Sequence, residues 1–207
     1  MEILAELRRA TSQLHSLIEE LPVSCAMRAG LIDRMTYIRL LVDLYHIHSV
    51  YETQLSTHPE VAIVWPDAPS RAAAIRQDLS VFAADPGPTP RWTSAWSASI
   101  EELEHPAAWA GVGYVIEGSR FGSQLLVKSL ATALNVPMAP GYGINYYLDI
   151  GNDVASYWKK VTLALTKLDS CHQARQAIVN AAIRTFETCL ERFKKACECS
   201  SESCMNS

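Results

Sequence analysis

The chain has 207 residues, of which 49% are hydrophobic and 19% charged, enough for one substantial domain with a packed core. The net charge of −4 gives no electrostatic case for binding nucleic acid. No apolar run reaches the roughly 20 residues that span a bilayer, and the first residues lack the apolar core of a signal peptide. We therefore expect a cytoplasmic protein that binds neither nucleic acid nor a membrane.

The cysteines do not predict a metal or redox site. Three of the six lie in the last residues, CECSSESCMNS, without the spacing or the nearby histidine that a zinc site needs. Thiols of a cytosolic protein are normally reduced. We assign residues 1–196 to one helical domain and residues 197–207 to a flexible tail rich in cysteine and serine.

Hydrophobic spacing predicts helices along the whole chain and no strand of useful length. The predicted helices run from Glu2 to about Glu20, Asp33 to about Ser56, Ser70 to about Ala84, Thr93 to Leu103, Pro106 to about Leu134, Asn152 or Asp153 to about Leu168, and Asp169 or Ser170 to about Lys195. Connectors rich in proline and glycine separate them, and Pro22 stops the first. The fold class is therefore all-α, a single domain of about seven or eight helices rather than an up-down four-helix bundle.

The helix predicted from Pro106 contains an unusual set of glycines, in the segment GVGYVIEGSRFGSQLL (residues 111–126). Each glycine inside a helix costs roughly 1 kcal/mol relative to alanine. Gly111, Gly118 and Gly122 are spaced by seven and four residues, so they share one face. Such a face fits either a close crossing with another helix or a planar ligand lying against the backbone. Spacing alone does not separate these two interpretations.

His15 is the first candidate ligand. Thr11, His15 and Glu19 are spaced four apart on the first predicted helix, so neighbours can orient the imidazole and leave one nitrogen free. A lone histidine beside an apolar stripe is more often a structural residue. Heme iron, however, takes a neutral imidazole on one side, and a helix without side chains would admit the macrocycle on the other.

Four segments of the chain, in the same order, resemble the heme oxygenases. They are LRRATSQLHSLIEE (residues 7–20), LYHIHSVYETQL (44–55), YVIEGSRFGSQLL (114–126) and RTFETCLERF (184–193), the third being similar to the bacterial EGSxxG form. The resemblance extends from Leu7 to about Phe193. It implies a heme oxygenase-like fold in which the ligand is sandwiched between a proximal and a distal helix.

The resemblance also implies an activity. Heme oxygenases bind heme as substrate and cofactor and cleave it oxidatively to biliverdin, carbon monoxide and ferrous iron. The implied partners are heme, dioxygen, an electron donor such as a ferredoxin or flavin reductase, and a bilin acceptor such as a phytochrome.

Several residues acquire implied roles. His15, flanked by Thr11 and Glu19, would be the axial ligand of the iron, and Gly118 and Gly122 would let the distal helix bend over the heme. Arg8 occupies the position of a basic residue that reaches a heme propionate. The other implied heme contacts are Tyr114, Phe121 and Phe186, with Lys128, Lys159 and Lys160 as weaker candidates for the acidic edge.

Two positions depart from the better-known pattern. Ser119 stands where many members carry an aspartate that anchors distal water, and His48 where some carry a tyrosine. We expect both in the catalytic site, with His48 holding the distal water and changing protonation near neutral pH. The alternative is a structural His48 bonded to a backbone carbonyl.

Three other functions stay open. The chain could be a heme-binding protein of the same fold that senses, stores or delivers heme without degrading it. An enzyme of the same superfamily acting on another small molecule would have acidic or cysteine residues in its pocket and no role for His15. A helical scaffold would cover the glycine face with another helix.

Overall fold

The computed structural model describes residues 2–58, 70–148 and 154–202, and these ranges contain helices and no strand. The helices are α1 Glu2–Glu20, α2 Pro22–Ala29, α3 Arg34–Thr57, α4 Arg71–Val81, α5 Arg91–Glu101, α6 Ala108–Leu134, α7 Asn145–Leu148, α8 Val154–Leu168 and α9 His172–Glu202. The all-α prediction is confirmed. No described helix is long and apolar enough to cross a membrane.

Two predicted helix starts are confirmed by their caps. Asp33 accepts a hydrogen bond from the Thr36 amide at 2.9 Å, and Ser70 accepts one from the Ala73 amide at 3.0 Å. Each side chain satisfies an amide that has no partner inside its own helix. The expected caps Asn152 and Asp153, and most of the connector before Ser70, lie outside the described residues.

Helix α2 was not predicted, because Pro22 was interpreted only as the end of α1. Proline is also well suited to a first helical turn, where its missing N–H has no intrahelical partner to lose. Pro22 therefore ends one helix and begins the next, and α2 stops at Gly30, which adopts the left-handed conformation at φ 70°.

Two helices in the C-terminal part of the chain also differ from the prediction. Helix α7 lies in a stretch, after the connector of residues 135–143, for which no helix was predicted, and α9 continues to Glu202 instead of ending near Lys195. Residues 203–207 of the predicted tail lie outside the described part of the chain.

The core has two parts, joined by α6. One lies where α9 packs against α1 and α6, and the other lies between α3, α4, α7 and the C-terminal half of α6. The first contains Leu7, Val112 and Ile178, all without exposed surface, and the second contains Leu40 and Leu130. Helix α6 therefore presents one stretch to the first core and a later stretch to the second, with residues 118–123 between them.

Gly111 permits the crossing of α6 and α9. A Cβ atom at this position would overlap the carbonyl oxygen of Ile178 and lie 2.9 Å from its carbonyl carbon. No side chain fits there without separating the helices. At Gly111, the interpretation as a close helix crossing is correct.

Candidate functional site

A cavity of about 430 Å³ lies between α1 and α6, and α2, α3, α7 and α9 complete its walls. His15 of α1 and Gly122 of α6 both line it. Most of the lining is apolar, with side chains such as Leu44 and Phe193. A cavity of this size and character is typical of a site for a small organic ligand or cofactor.

His15 has one ring nitrogen available for a ligand. Nδ1 lies 3.6 Å from Oε2 of Glu19, which is within electrostatic range but too long for a hydrogen bond. The ring packs edge-on against Phe186 at a centroid distance of 5.9 Å. Within the residues that the structure describes, Nε2 makes no hydrogen bond, and the side chain is 59% exposed. The ring is thus oriented on one side and accessible on the other.

The three glycines that share a helical face have three different environments. Gly111 packs against α9, as described above. A Cβ atom on Gly118 would lie 3.4 Å from Cη2 of Trp158, an ordinary contact, so the Trp158 indole covers this glycine. A Cβ atom on Gly122 would have nothing within 4 Å. Among the three, only Gly122 leaves open space above the helix backbone.

Trp158 of α8 packs against Gly118 outside the cavity lining, and sequence reasoning did not predict this contact. Its ring lies 5.7 Å from that of Tyr114 and 5.9 Å from that of Phe121, on either side of Gly118. The structure therefore places Phe121, which is 41% exposed, against Trp158 and not in the lining of the cavity. No sequence spacing links Trp158 to α6, since the two helices meet only in the tertiary fold.

Arg8 and Thr11 of α1 are neighbours of Tyr114 of α6, and none of the three lines the cavity. Burial raises the pKa of the Tyr114 hydroxyl, while the neighbouring Thr11 and Arg8 act to lower it. Thr11 itself donates to the Leu7 carbonyl at 2.8 Å. The predicted cationic and phenolic groups are therefore neighbours. Lys128, Lys159 and Lys160 are exposed, as is usual for helix lysines.

Ser119 and Ser123 line the cavity with hydroxyls that are already bonded to the backbone. The Ser119 hydroxyl donates to the Ile116 carbonyl at 2.7 Å, and that of Ser123 to the Ser119 carbonyl at 3.0 Å. Each oxygen can still accept a hydrogen bond. Ser119 thus lines the cavity and offers mainly an acceptor to it.

His48 is buried, at 2% exposed, and does not line the cavity. Its Nε2 lies 3.2 Å from the hydroxyl of Tyr146, and Tyr146 is one of the residues that line the cavity. Burial lowers the pKa of His48 well below its ordinary value, and the positive charges of Arg71 and Arg120 lower it further. The expectation that His48 changes protonation near neutral pH is therefore wrong, because the imidazole stays neutral.

Tyr146 and Phe193 line the cavity but were not predicted as site residues. Phe193 carried a usable signal, because it follows Phe186 by seven residues and so shares its face of α9. No sequence signal pointed to Tyr146, because its position depends on a cap from Asp78, which lies 68 positions away in the sequence.

A buried ion pair lies inside α6. Nε of Arg120 donates to Oε2 of Glu117 at 2.6 Å, and the two side chains are only 2% and 3% exposed. The Arg120 guanidinium also lies 5.0 Å from the centre of the Tyr157 ring. These charges fall within the EGSR segment, next to the residues that line the cavity.

The lining does not favour a different catalytic chemistry. Among the described residues around the cavity, Glu19 is the acidic side chain and no cysteine is present. An enzyme of the same superfamily that acts on another small molecule was expected to have acidic or cysteine residues at the centre of the pocket.

Comparison with known proteins gives one consistent result. The sequence model for "Heme oxygenase" matches residues 1–195. A heme oxygenase of Rhodella violacea is 22% identical over 203 residues, which cover 92% of this chain and 85% of that protein. The heme oxygenase structure from Leptospira interrogans has a TM-score of 0.81 at 24% identity, covering 94% of this chain and 100% of that one. Heme oxygenase-1 of the cyanobacterium Synechocystis, in complex with heme, has a TM-score of 0.77 at 18% identity, covering 100% and 99%.

Proposed function

The chain belongs to the heme oxygenase family, and we propose that it binds heme between α1 and α6 and cleaves it to biliverdin, carbon monoxide and ferrous iron. The observation that carries this proposal is the cavity shared by His15 and Gly122. His15 offers an accessible imidazole nitrogen, and Gly122 leaves open space above the backbone of α6.

Three residues outside the cavity lining support a flat, dianionic ligand, since each lies close to His15 or on the facing stretch of α1 and α6. Phe186 packs against His15 and supplies an aromatic edge on the proximal side. Arg8, with Tyr114 beside it, offers a cation and a phenol for a propionate. The Synechocystis relative is described in complex with heme, which supports the same ligand here.

Bound heme would supply the redox chemistry, with dioxygen and external electrons as co-substrates. The residues of the chain would bind, orient and shield it. His15, oriented by the Glu19 carboxylate, would hold the iron through a neutral nitrogen donor. Gly122 would leave room for a small ligand beside α6, and the Ser119 and Ser123 oxygens would accept hydrogen bonds from water there.

The experiment is a hemin titration of the purified chain, followed by reduction in air with ferredoxin and ferredoxin reductase as the electron source. We expect a Soret band that saturates at one heme per chain, then biliverdin absorption and carbon monoxide captured by myoglobin. A saturating Soret band with no biliverdin under any reductant would contradict turnover and favour a heme carrier. The absence of a saturating band would contradict heme binding itself.

The physiological partners follow from the same reaction. We propose that a ferredoxin or flavin reductase supplies the electrons and that biliverdin passes to a bilin acceptor such as a phytochrome. Turnover rates measured with each electron donor in parallel would rank them.

A further inference from the structure

Tyr146 is a wall residue of the cavity, and several contacts fix the position of its side chain and hydroxyl. The residue is 4% exposed and lines the cavity together with His15 and Gly122. Its hydroxyl lies 3.2 Å from Nε2 of His48. A buried phenol needs a hydrogen-bond partner, and His48 provides it.

The backbone of Tyr146 is held by a carboxylate from another helix. Asp78 of α4, which has no exposed surface, accepts hydrogen bonds from the Asn145 amide at 2.7 Å and the Tyr146 amide at 2.8 Å. The two amides form the first turn of α7, so Asp78 acts as its cap from a distance. This cap fixes the point from which the Tyr146 side chain extends.

The ring of Tyr146 is fixed as well. The Arg71 guanidinium carbon lies 4.0 Å from its centroid, and the ring of Tyr147 packs edge-on at 4.9 Å. The His48 ring packs edge-on at 5.3 Å. Backbone, ring and hydroxyl are thus all restrained, which is the arrangement expected of a functional side chain that must be held in one position.

The bond to His48 leaves the phenol with hydrogen-bonding capacity for the cavity. A neutral imidazole carries one N–H and one bare nitrogen, and Nδ1 has no partner among the described residues. If Nε2 is bare, the phenol donates to it and can accept from water. If Nε2 carries the proton, the phenol accepts from it and can donate to water. Each tautomer leaves the Tyr146 oxygen able to bind one more polar group.

Ser119 is less suited to the same task. Its hydroxyl proton is directed to the Ile116 carbonyl, which leaves an acceptor for the cavity. A phenol is also a better hydrogen-bond donor than an aliphatic alcohol.

We propose that Tyr146 anchors the water on the distal side of the bound heme, and that His48 is a positioning residue that orients the Tyr146 hydroxyl. The inference rests on the proposed function and assigns the distal polar role to a residue that the sequence did not indicate. The charged groups that face this pair are Asp78, Arg71 and Arg120.

The first test is Tyr146→Phe, which removes one oxygen and keeps the ring. We expect heme affinity within about twofold of the unchanged chain, and a severalfold larger share of the consumed oxygen released as hydrogen peroxide. The pH midpoint of the spectral change of the ferric heme complex should shift by about half to one unit, since a lost hydrogen bond is worth roughly that much. An upward shift means that the phenol donates to the cavity water, and a downward shift that it accepts.

Tyr37→Phe is the matched control. Tyr37 is equally buried, and its hydroxyl donates to the Gly143 carbonyl at 2.8 Å, in the connector that leads to α7, but it does not line the cavity. The Tyr37→Phe variant should have a lower thermal stability, but the same pH midpoint and peroxide share as the unchanged chain. If Tyr37→Phe shifted both as much as Tyr146→Phe does, the effect would be structural and the inference would be overturned.

The second test compares two substitutions of His48. His48→Phe should reproduce the Tyr146→Phe phenotype, whereas His48→Gln, which can still hydrogen-bond the phenol, should recover part of the unchanged behaviour. Unchanged midpoint and peroxide share in Tyr146→Phe would overturn the inference and leave the proposed function intact. Failure of the unchanged chain to bind hemin would overturn the proposed function, and the inference with it.

Discussion

Gly111 of α6 lies directly against the backbone of Ile178 in α9, so that a Cβ atom on it would lie 2.9 Å from the Ile178 carbonyl carbon. Eleven residues further along, Gly122 has nothing within 4 Å of the same position. One glycine serves packing and the other leaves space for a ligand. Their substitutions should therefore have opposite effects on folding and on activity.

We expect Gly111→Ala to lower the free energy of unfolding by about 1–3 kcal/mol, because the new methyl group forces α6 and α9 apart. Urea unfolding followed by circular dichroism measures the change. Gly122→Ala is the matched control, and should be neutral or stabilising by up to about 1 kcal/mol, since alanine favours helix over glycine. A Gly111→Ala chain as stable as the original would contradict the packing role of this residue.

Gly122→Val tests the space above α6. The valine side chain would extend into the cavity, where it should slow biliverdin formation far more than it changes helicity or heme affinity. Gly122→Ala should have a smaller effect in the same direction. Rates, circular dichroism and hemin titration are measured on both variants. Loss of helicity in proportion to the loss of rate would show that Gly122 is needed for folding instead.

The sequence predicts those parts of the site that depend on local spacing. His15, Thr11 and Glu19 share a face because they lie four residues apart, and helix caps such as Ser70 act within one turn. Tyr146 and its cap Asp78 are 68 positions apart, so their pairing exists only in the tertiary fold.

The sequence also could not predict the environment of each residue. Spacing placed Gly111, Gly118 and Gly122 on one face, but their neighbours come from α9, from α8 and from the cavity. The protonation of His48 depends on burial and on the distant Arg71 and Arg120. Such features require knowledge of which helices pack together.

Glu117→Ala should be destabilising, by about 3–5 kcal/mol, because it removes a buried carboxylate that accepts a hydrogen bond from the buried Arg120. Lys195→Ala is the comparison. Lys195 pairs with Glu191, and the two side chains are 54% and 59% exposed, so the pair should contribute less than about 1 kcal/mol to stability. Thermal and urea unfolding of the three chains gives both values. Similar small losses in the two variants would contradict a structural role for the buried pair.

His15→Ala should abolish biliverdin formation and shift the Soret band of the hemin complex, because the accessible imidazole nitrogen is lost. Added imidazole should restore part of the activity by occupying the vacated space. His172→Ala removes an exposed histidine at the start of α9 and should change neither spectrum nor rate. A His15→Ala chain with the original spectrum and rate would mean that another residue holds the iron.

The stability of the protein should decrease as the pH rises from about 4 to 6, in part because of Asp78. Burial raises the pKa of the Asp78 carboxyl to about 6, although the Tyr146 and Asn145 amides act to lower it. An unfolded aspartate titrates near pH 3.9, so between these values the folded chain binds more protons than the unfolded one. The folded state therefore gains most from protonation at low pH and loses that contribution as the pH passes 6.

Asp78→Asn tests this assignment, because asparagine does not titrate. Its free energy of unfolding, measured with urea at half-unit steps from pH 4 to 7, should vary less steeply with pH than that of the original chain. Some slope should remain, since burial also raises the pKa of Asp43 to about 6 against the opposing charges of Arg192 and Lys195. Equal slopes in Asp78→Asn and the original chain would show that the Asp78 carboxyl does not titrate in this range.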